Sequence, residues 1–477
     1  MAFALIFFPL LLAVLAAAIP SNRLRPWLLP VAGLGHLALT VYTLLDPARC
    51  VSAAWLVLDP LGKLILLVVS TLYFFVSFSA VGYLRFREER PNRVFCICLL
   101  SFLGVMTLVT WAHHLGLMWV AIEGTTLATA PLIFFNHTQR SIEATWKYLL
   151  VGSVGIALAL LGSFFLAYAS LNTGIETALT FENLLEHAQK LSKPWLHAGF
   201  VLLLVGYGTK MGLAPMHTWK PDAYGEAPGL VGAMLAGGVT SCAFLALLRV
   251  YHICVAAGET AYVSRLLVFM GILSMAVASL FMVGQRDFKR MLAYSSVEHM
   301  GILVLGLGIG KTALFGTLLH VVANGLTKGV LFLSAGNIHR AYGSKSTEQV
   351  AGAMRRLPLS GTLFLVGFLA VTGSPPFGPF ISEFSILNGA FDAGRLAVGG
   401  LFLFLLLVVF IGMGSTVLKV VQGRASFEAR NTPYHDNLLT GGPIVCLMLL
   451  VLLVGLYIPP PLSALIGDAV RFLEGQP

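Results

Sequence analysis

The feature that most constrains this chain is a succession of apolar runs, each about as long as the hydrocarbon core of a bilayer is thick. A helix rises about 1.5 Å per residue, so roughly 20 apolar residues cross that core. Candidate runs fall at 3–20, 27–45, 59–82, 94–111, 115–135, 146–170, 196–219, 229–256, 265–284, 291–309, 312–336, 359–390, 396–421 and 441–458. No connection between them is long enough for a separate soluble domain. The expected fold class is an all-α membrane protein of about 14 transmembrane helices. Composition agrees: the chain is 57% hydrophobic and 11% charged, whereas soluble domains carry about 25% charged residues. The polar stretch near 171–195 has room for a short surface helix, and only Gly310–Lys311 divides two adjoining runs.

A net charge of +9 could signal nucleic acid, but the basic residues lie mainly between apolar runs. Loops after odd-numbered runs hold 19 Lys and Arg, among them Lys220 and Arg430, and the opposite side holds 9, among them Arg49 and Arg249. The positive-inside rule then places both termini outside a cell (cytoplasmic) membrane. The bilayer, not nucleic acid, is the expected first partner. Arg23 and Arg25 follow the first run instead of preceding it, so that run is expected to be a retained span and not a cleaved signal. The six cysteines form no CxxC or Cys/His ligand set and are expected to be apolar fillers.

An ionised group at the bilayer centre costs at least about 2.5–3.5 kcal/mol on insertion scales. Glu123, Lys210, Lys328 and Glu383 nevertheless lie inside apolar runs, as do Glu298, His299 and His320. His320 and Lys328 are eight residues apart and face nearly the same way on a helix. Lys147 opens the sixth run. Carboxylates, amines and imidazoles whose proton affinity depends on burial and on their neighbours have the chemistry of a proton path. Glu123 and Lys210 are expected to pair; a static ion pair that ties helices together is the alternative reading.

Two runs are interrupted. One contains Lys210, Gly212 and Pro215; the other contains Pro375, Pro376, Pro379 and Glu383. Proline removes a helix donor and clashes with the preceding turn. Lys210 precedes its break, where a half-helix C-terminus favours a cation, and Glu383 follows its break, where an N-terminus favours an anion. Ordinary proline kinks are the plainer alternative. Runs 4–8 and 9–13 form two five-helix units of opposite topology, each with its interrupted run fourth and a carboxylate, Glu123 or Glu298, in its second. The chain therefore divides into an N-terminal three-helix segment (1–92), a first repeat (93–257), a second repeat (258–425) and a C-terminal helix and tail (426–477). Gly306–Thr312 imitates a phosphate loop but has Leu305 where the first glycine belongs and no preceding strand. Without a zinc-protease motif, nucleophile elbow or dinucleotide fingerprint, catalysis by this chain alone is not expected.

Four stretches carry a family resemblance: Trp119–Glu123, Lys210–Ala223 (which includes His217), Asp287–Gly301 and Phe377–Phe384. Together they resemble the antiporter-like subunits of complex I, which are similar to Mrp-type cation/proton antiporter subunits. The wording of Ile122–Thr126, Trp146–Ser153 and Val297–His299 is similar to the component-F branch of hydrogenase-4 and related membrane-bound [NiFe] hydrogenases. The resemblance implies fourteen transmembrane helices, two inverted five-helix repeats and two discontinuous helices. It also implies proton translocation along a central axis of Glu123, Lys147, Lys210, His217, Glu298, His299, His320, Lys328 and Glu383. Partners would be the other membrane and peripheral subunits of a [NiFe]-hydrogenase-like or complex-I-like machine; no cofactor or metal is expected in this chain. One departure stands out: many members carry a lysine in the eighth span, where this chain reads Gly237–Ala243 without one. A long C-terminal lateral helix seen in one member is not expected here, since the sequence stops at Pro477. Three readings follow: a redox-driven proton-translocating subunit, an Mrp-like Na⁺/H⁺ antiporter, and a structural membrane arm with a non-conducting channel.

Overall fold

In hydrocarbon no water can satisfy a free backbone group, so apolar runs of this length close their hydrogen bonds internally as helices. The computed structural model describes residues 1–88, 90–174, 179–424 and 432–475. The expected boundary at 425/426 and Arg430 lie outside the described residues. In chain order the helices are α1 (Ala2–Ala18), α2 (Leu28–Leu44), α3 (Pro60–Arg85), α4 (Arg93–Trp111), α5 (Leu115–Ile133), α6 (Gln139–Leu171), α7 (Phe181–Glu186), α8 (Lys193–Met211), α9 (Trp219–Glu226), α10 (Gly229–Met234), α11 (Thr240–Ala256), α12 (Thr260–Met282), α13 (Phe288–Ile309), α14 (Ala313–Tyr342), α15 (Ala353–Arg356), α16 (Pro358–Val371), α17 (Gly378–Asp392), α18 (Leu396–Val421), α19 (Leu438–Leu456) and α20 (Pro460–Leu473). Eleven helical stretches among the described residues are long and apolar enough to cross a membrane; α1 and α16 are shorter apolar helices. A two-stranded hairpin, Val51–Ala53 with Leu56–Val57, joins α2 to α3.

Burial sorts these helices into layers. The apolar stretches of α10–α11, α13 and α14 are wholly buried, against 33% of that of α18. A helix apolar on every side belongs inside a bundle. Glu298, His299, His320 and Lys328 ride on this inner set and Glu123, Lys210 and Glu383 on helices around it, while Leu403, Phe404, Leu407 and Ile411 of α18 face outward. Helices approach closely where glycines meet: a Cβ at Gly271 of α12 would lie 2.8 Å from the Gly301 carbonyl of α13, and one at Gly301 would lie 2.9 Å from that of Gly271. Small residues at such seams are the usual device where no hydrophobic force drives helices together. Four cysteines are buried, Cys98 is half-buried and Cys446 exposed, and all six are free.

Several expectations need amendment. The expected eighth run is one continuous helical stretch, Gly229–Ala256, with a π-turn at Leu235–Val239 around Gly237 and Gly238 between α10 and α11. The division at Gly310–Lys311 is real: both residues have positive φ, 73° and 44°, which no helix can accommodate. The surface helix expected near 171–195 is α7. The α20 helix, started by Pro459–Pro460, is a short amphipathic element that the hydropathy of 459–477 did not mark. Arg249 is no loop residue. Its guanidinium pairs with Asp59 Oδ2 at 2.7 Å and donates to the Val109, Thr110 and Ala112 carbonyls at the end of α4. It thus closes acceptors that a helix C-terminus leaves open. Lys220 is likewise buried and not in a loop, and Lys289 is buried in the first turn of α13.

Candidate functional site

The first break begins where α8 stops. Gly212 adopts a left-handed conformation, φ 81°, and the Gly212 and Leu213 N–H groups both donate to the Gly208 carbonyl at 2.8 Å. Ala214–Pro215 is a cis peptide, and the chain becomes helical again only at Trp219. The Trp219 indole N–H closes the Thr209 carbonyl at 2.9 Å. Lys210 therefore sits in the last turn of α8, the cation-favouring end expected from sequence. It is 2% exposed.

Lys210 Nζ donates to Thr126 Oγ1 at 2.5 Å and to Tyr148 OH at 3.0 Å, and lies 4.9 Å from the centre of the Tyr148 ring. Thr126 Oγ1 in turn donates to Glu123 Oε2 at 3.0 Å. The expected Glu123–Lys210 pair is thus not a direct ion pair: one hydroxyl stands between the charges. The reason is helical spacing. Thr126 lies three residues after Glu123 on α5, hence on the same face and nearer Lys210. Tyr148 OH also meets Thr129 Oγ1 at 2.7 Å, so α5, α6 and α8 share one buried cluster.

A second cluster fills α13, α14 and α17. Lys328 Nζ donates to Ser295 Oγ at 2.6 Å. His299 Nδ1 meets His320 Nε2 at 2.9 Å, and His320 Nδ1 meets Ser382 Oγ at 2.8 Å. When Ser382 Oγ spends its proton on the Pro379 carbonyl at 2.9 Å, it accepts from His320 Nδ1–H. A neutral imidazole has one donor and one acceptor. The Val371 carbonyl, which only accepts, also lies beside His299, so the wire runs either way with the tautomer, and its open end is His299 Nε2. That nitrogen has no hydrogen bond among the described residues and stands 3.9 Å from Glu298 Oε2. Glu298 is placed to feed the wire.

At the second break α16 ends at Val371 and α17 begins at Gly378, with Gly373 at φ 66° and Pro375–Pro376 cis. Glu383 is in the second turn of α17, not the first. The expectation that the helix dipole holds it is corrected accordingly, because that influence fades beyond the first turn. The carboxylate instead reaches back to the break: a Cβ on Gly373 would overlap Glu383 Oε2, and Glu383 Oε1 has no hydrogen-bond partner. Donor atoms of His299, His320 and Glu383 lie within 4.8 Å of one another, the one set among the described residues able to close on a metal ion. Internal hydrogen bonds already occupy three of the four imidazole nitrogens, so an ion there would have to break the wire.

The structure separates two expected members from this axis. Lys147 is exposed and salt-bridged to Glu143 at 2.6 Å and Asp222 at 3.0 Å. It lines a charged surface cavity of about 420 Å³ with Arg140, Asp287, Arg290 and Lys345. His217 lies between the halves of the first break against Phe281 and Tyr294, bonded to none of the axis residues.

Sequence reasoning missed two others. Asn324 is buried midway between His320 and Lys328 on the same face of α14, and neither of its side-chain polar atoms has a protein partner. The i, i+4, i+8 spacing was the available signal. Lys220 is fully buried, its Nζ donating to Ser296 Oγ at 2.9 Å. The polar neighbours Pro221, Asp222 and Glu226 disguised it as a loop lysine.

The family model for the NADH:quinone oxidoreductase/Mrp antiporter transmembrane region matches residues 112–408, which hold both breaks and both clusters. The chain belongs to this family. It is 34% identical to the hydrogenase-4 component F homolog of Methylacidiphilum infernorum, covering 96% of each chain. It is 33% identical to NADH-quinone oxidoreductase subunit N of Desulforudis audaxviator, over 73% of this chain and 70% of the relative. A chain in the structure of the membrane-bound sulfane sulfur reductase, an archaeal respiratory membrane complex, superposes with a TM-score of 0.87 at 21% identity, covering 99% of this chain and 97% of that one. That last likeness concerns the fold alone. This antiporter-family chain is therefore a multi-pass membrane protein, and the resemblance read from the four sequence stretches holds.

Proposed function

We propose that this chain is the proton-translocating membrane subunit of a redox-driven complex of the hydrogenase or NADH:quinone oxidoreductase type. One observation carries the reading: two clusters of titratable groups, each beside a break in a membrane helix, in which every charged member but the half-buried Glu123 is buried. Glu123, Thr126 and Lys210 form the first half-path; Glu298, His299, His320, Ser382, Lys328 and Glu383 form the second. The redox cofactors belong to partner subunits, as befits relatives named for a hydrogenase component and an oxidoreductase subunit. Counting α1, α8 and the divided α16–α17 pair with the eleven long spans brings the crossings to fourteen, with two inverted repeats at 93–257 and 258–425 and both termini outside the cytoplasmic membrane. The loops that carry most Lys and Arg also contact one another, as in Arg87 to Asn136 and Arg286 to Glu348, which supports a single cytoplasmic face.

A Na⁺/H⁺ antiporter is the rival reading, and a subunit of one from Staphylococcus aureus is 29% identical over 71% of this chain. Sodium needs a cage of oxygens, whereas both clusters are built around a lysine ammonium, which favours the proton. The test is Lys210→Met or Glu123→Gln in the complex isolated through this chain and reconstituted in liposomes. Proton movement undiminished in both variants, or driven Na⁺ uptake by the unaltered complex, overturns the proposal.

A further inference from the structure

This chain lacks a lysine in its eighth span, and its two polar clusters sit on different helices. Something polar has to join them if protons pass from one to the other. The residue in position to do so is Lys220. It lies in the first turn of α9, ten residues after Lys210 and on the far side of the first break. Its ammonium is fully buried and touches no carboxylate; it donates to Ser296 Oγ at 2.9 Å and, at 3.4 Å, to the Ser296 carbonyl on α13. Ser296 adjoins Ser295, the acceptor for Lys328.

The space back to the first cluster is lined by aromatic side chains, of which the Tyr148 and Tyr224 hydroxyls are the groups able to carry a proton. Lys220 Nζ lies 5.6 Å from the centre of the Tyr224 ring, and Lys210 Nζ lies 4.9 Å from that of Tyr148. Trp219 packs between these tyrosines, its ring centre 5.1 Å from that of Tyr148 and 5.9 Å from that of Tyr224. The Tyr224 hydroxyl is buried without a full hydrogen bond and has Ser296 beside it. The break itself is shaped around Lys220: a Cβ on Gly212 would overlap its Cδ and Cε. A residue whose only office was to hold α9 in place would need none of this, since a leucine or methionine fills the same slot without burying an ammonium.

We propose that Lys220 is the proton-carrying link between the two halves of the axis, occupying from α9 the place that a lysine on the eighth span would hold. In each transfer the Lys220 ammonium gives one proton through the Ser296 hydroxyl toward Lys328 and the neutral amine receives one from the Lys210–Tyr148 side, so the charge count of the axis is restored. Lys220 and Lys328 bond to adjacent serines of α13, and two buried ammonium groups so placed resist being charged together, so their occupation alternates.

The inference rests on the proposed proton function, and the test separates the two. The complex isolated through a tag on this chain is placed in liposomes with trapped pyranine, and proton flux is driven by a potassium diffusion potential set with valinomycin. Lys210→Met defines the flux that belongs to the axis. Lys220→Met is expected to lower that flux at least about tenfold with an unchanged melting temperature. Lys220→Arg retains part of it, and Lys220→His retains part with a pH profile displaced to lower pH. If Lys210→Met abolishes flux while Lys220→Met leaves it intact, the link is wrong and the proton function stands. If Lys210→Met also leaves flux intact, the proton function itself fails. Equal loss in the Met, Arg and His variants, with no displacement of the pH profile, reduces Lys220 to a structural residue and overturns the link. Should Lys220→Met not assemble, Ser296→Ala, which removes only the acceptor hydroxyl, is expected to give the same loss, and full flux in it overturns the link equally.

Discussion

The two breaks use the same device and fill it differently. At the first, the lysine is fully engaged: Lys210 has two hydroxyl acceptors and an aromatic face, and reaches Glu123 through Thr126. At the second, the carboxylate is left short: Glu383 Oε1, His299 Nε2 and both polar atoms of the Asn324 side chain have no protein partner. Buried polar groups are normally satisfied, and each exception calls for a reason. The contrast teaches that the first half is built to hold a charge and the second to receive and pass one. Unmet polar atoms beside an imidazole wire are where a proton can arrive without first displacing a bond.

That contrast can be broken by experiment. The largest effect is expected from Lys210→Met, which removes the charge around which α5, α6 and α8 assemble: proton flux through the reconstituted complex should fall about a hundredfold or more, and flux within twofold of the unaltered complex would remove Lys210 from the path. Next is Glu383→Gln. Flux should drop about tenfold or more, yet the protein should melt no lower, because the buried carboxylate it replaces lacks a partner; a marked loss of stability would show that Glu383 is a structural anchor after all. Thr126→Val should act the other way round. It leaves Lys210 one acceptor fewer and severs the hydroxyl bridge, costing about 1–3 kcal/mol of stability in a thermal or denaturant unfolding series along with flux. Unchanged stability would mean that the first half is as loosely satisfied as the second. The smallest effect belongs to Lys147→Met. Its side chain is 48% exposed, and exposed ion pairs contribute about 0–1 kcal/mol, so stability and flux should both stay near those of the unaltered complex. A large loss of flux would return Lys147 to the axis from which the geometry has separated it.

What could be read in advance followed a clear physical line. Membrane residence, helical class, the two interrupted runs and the identity of Glu123, Lys210, His299, His320, Lys328 and Glu383 were legible because a charged or imidazole group in an apolar run has no ordinary reason to be there. Lys220 and Arg249 were misplaced. Lys220 borders Asp222 and Glu226, whereas Arg249 lies near the end of the apolar run 229–256 and was assigned to the loop beyond it; only the folding back of α9 onto α13, or of α11 onto the end of α4, shows them enclosed.

The sequence alone determined the solvent, the secondary structure and the cast of ionisable groups, since these depend on the local balance of apolar and polar side chains along one chain. Tertiary structure alone decided who meets whom: that a threonine hydroxyl intervenes between Glu123 and Lys210, that Ser382 closes one end of the histidine wire, and that Glu383 leans on its own chain break. Such contacts join residues up to 84 positions apart. They are settled by ångström-scale approach between helices, and a hydrogen bond made or missed across that gap leaves no periodicity for the sequence to display.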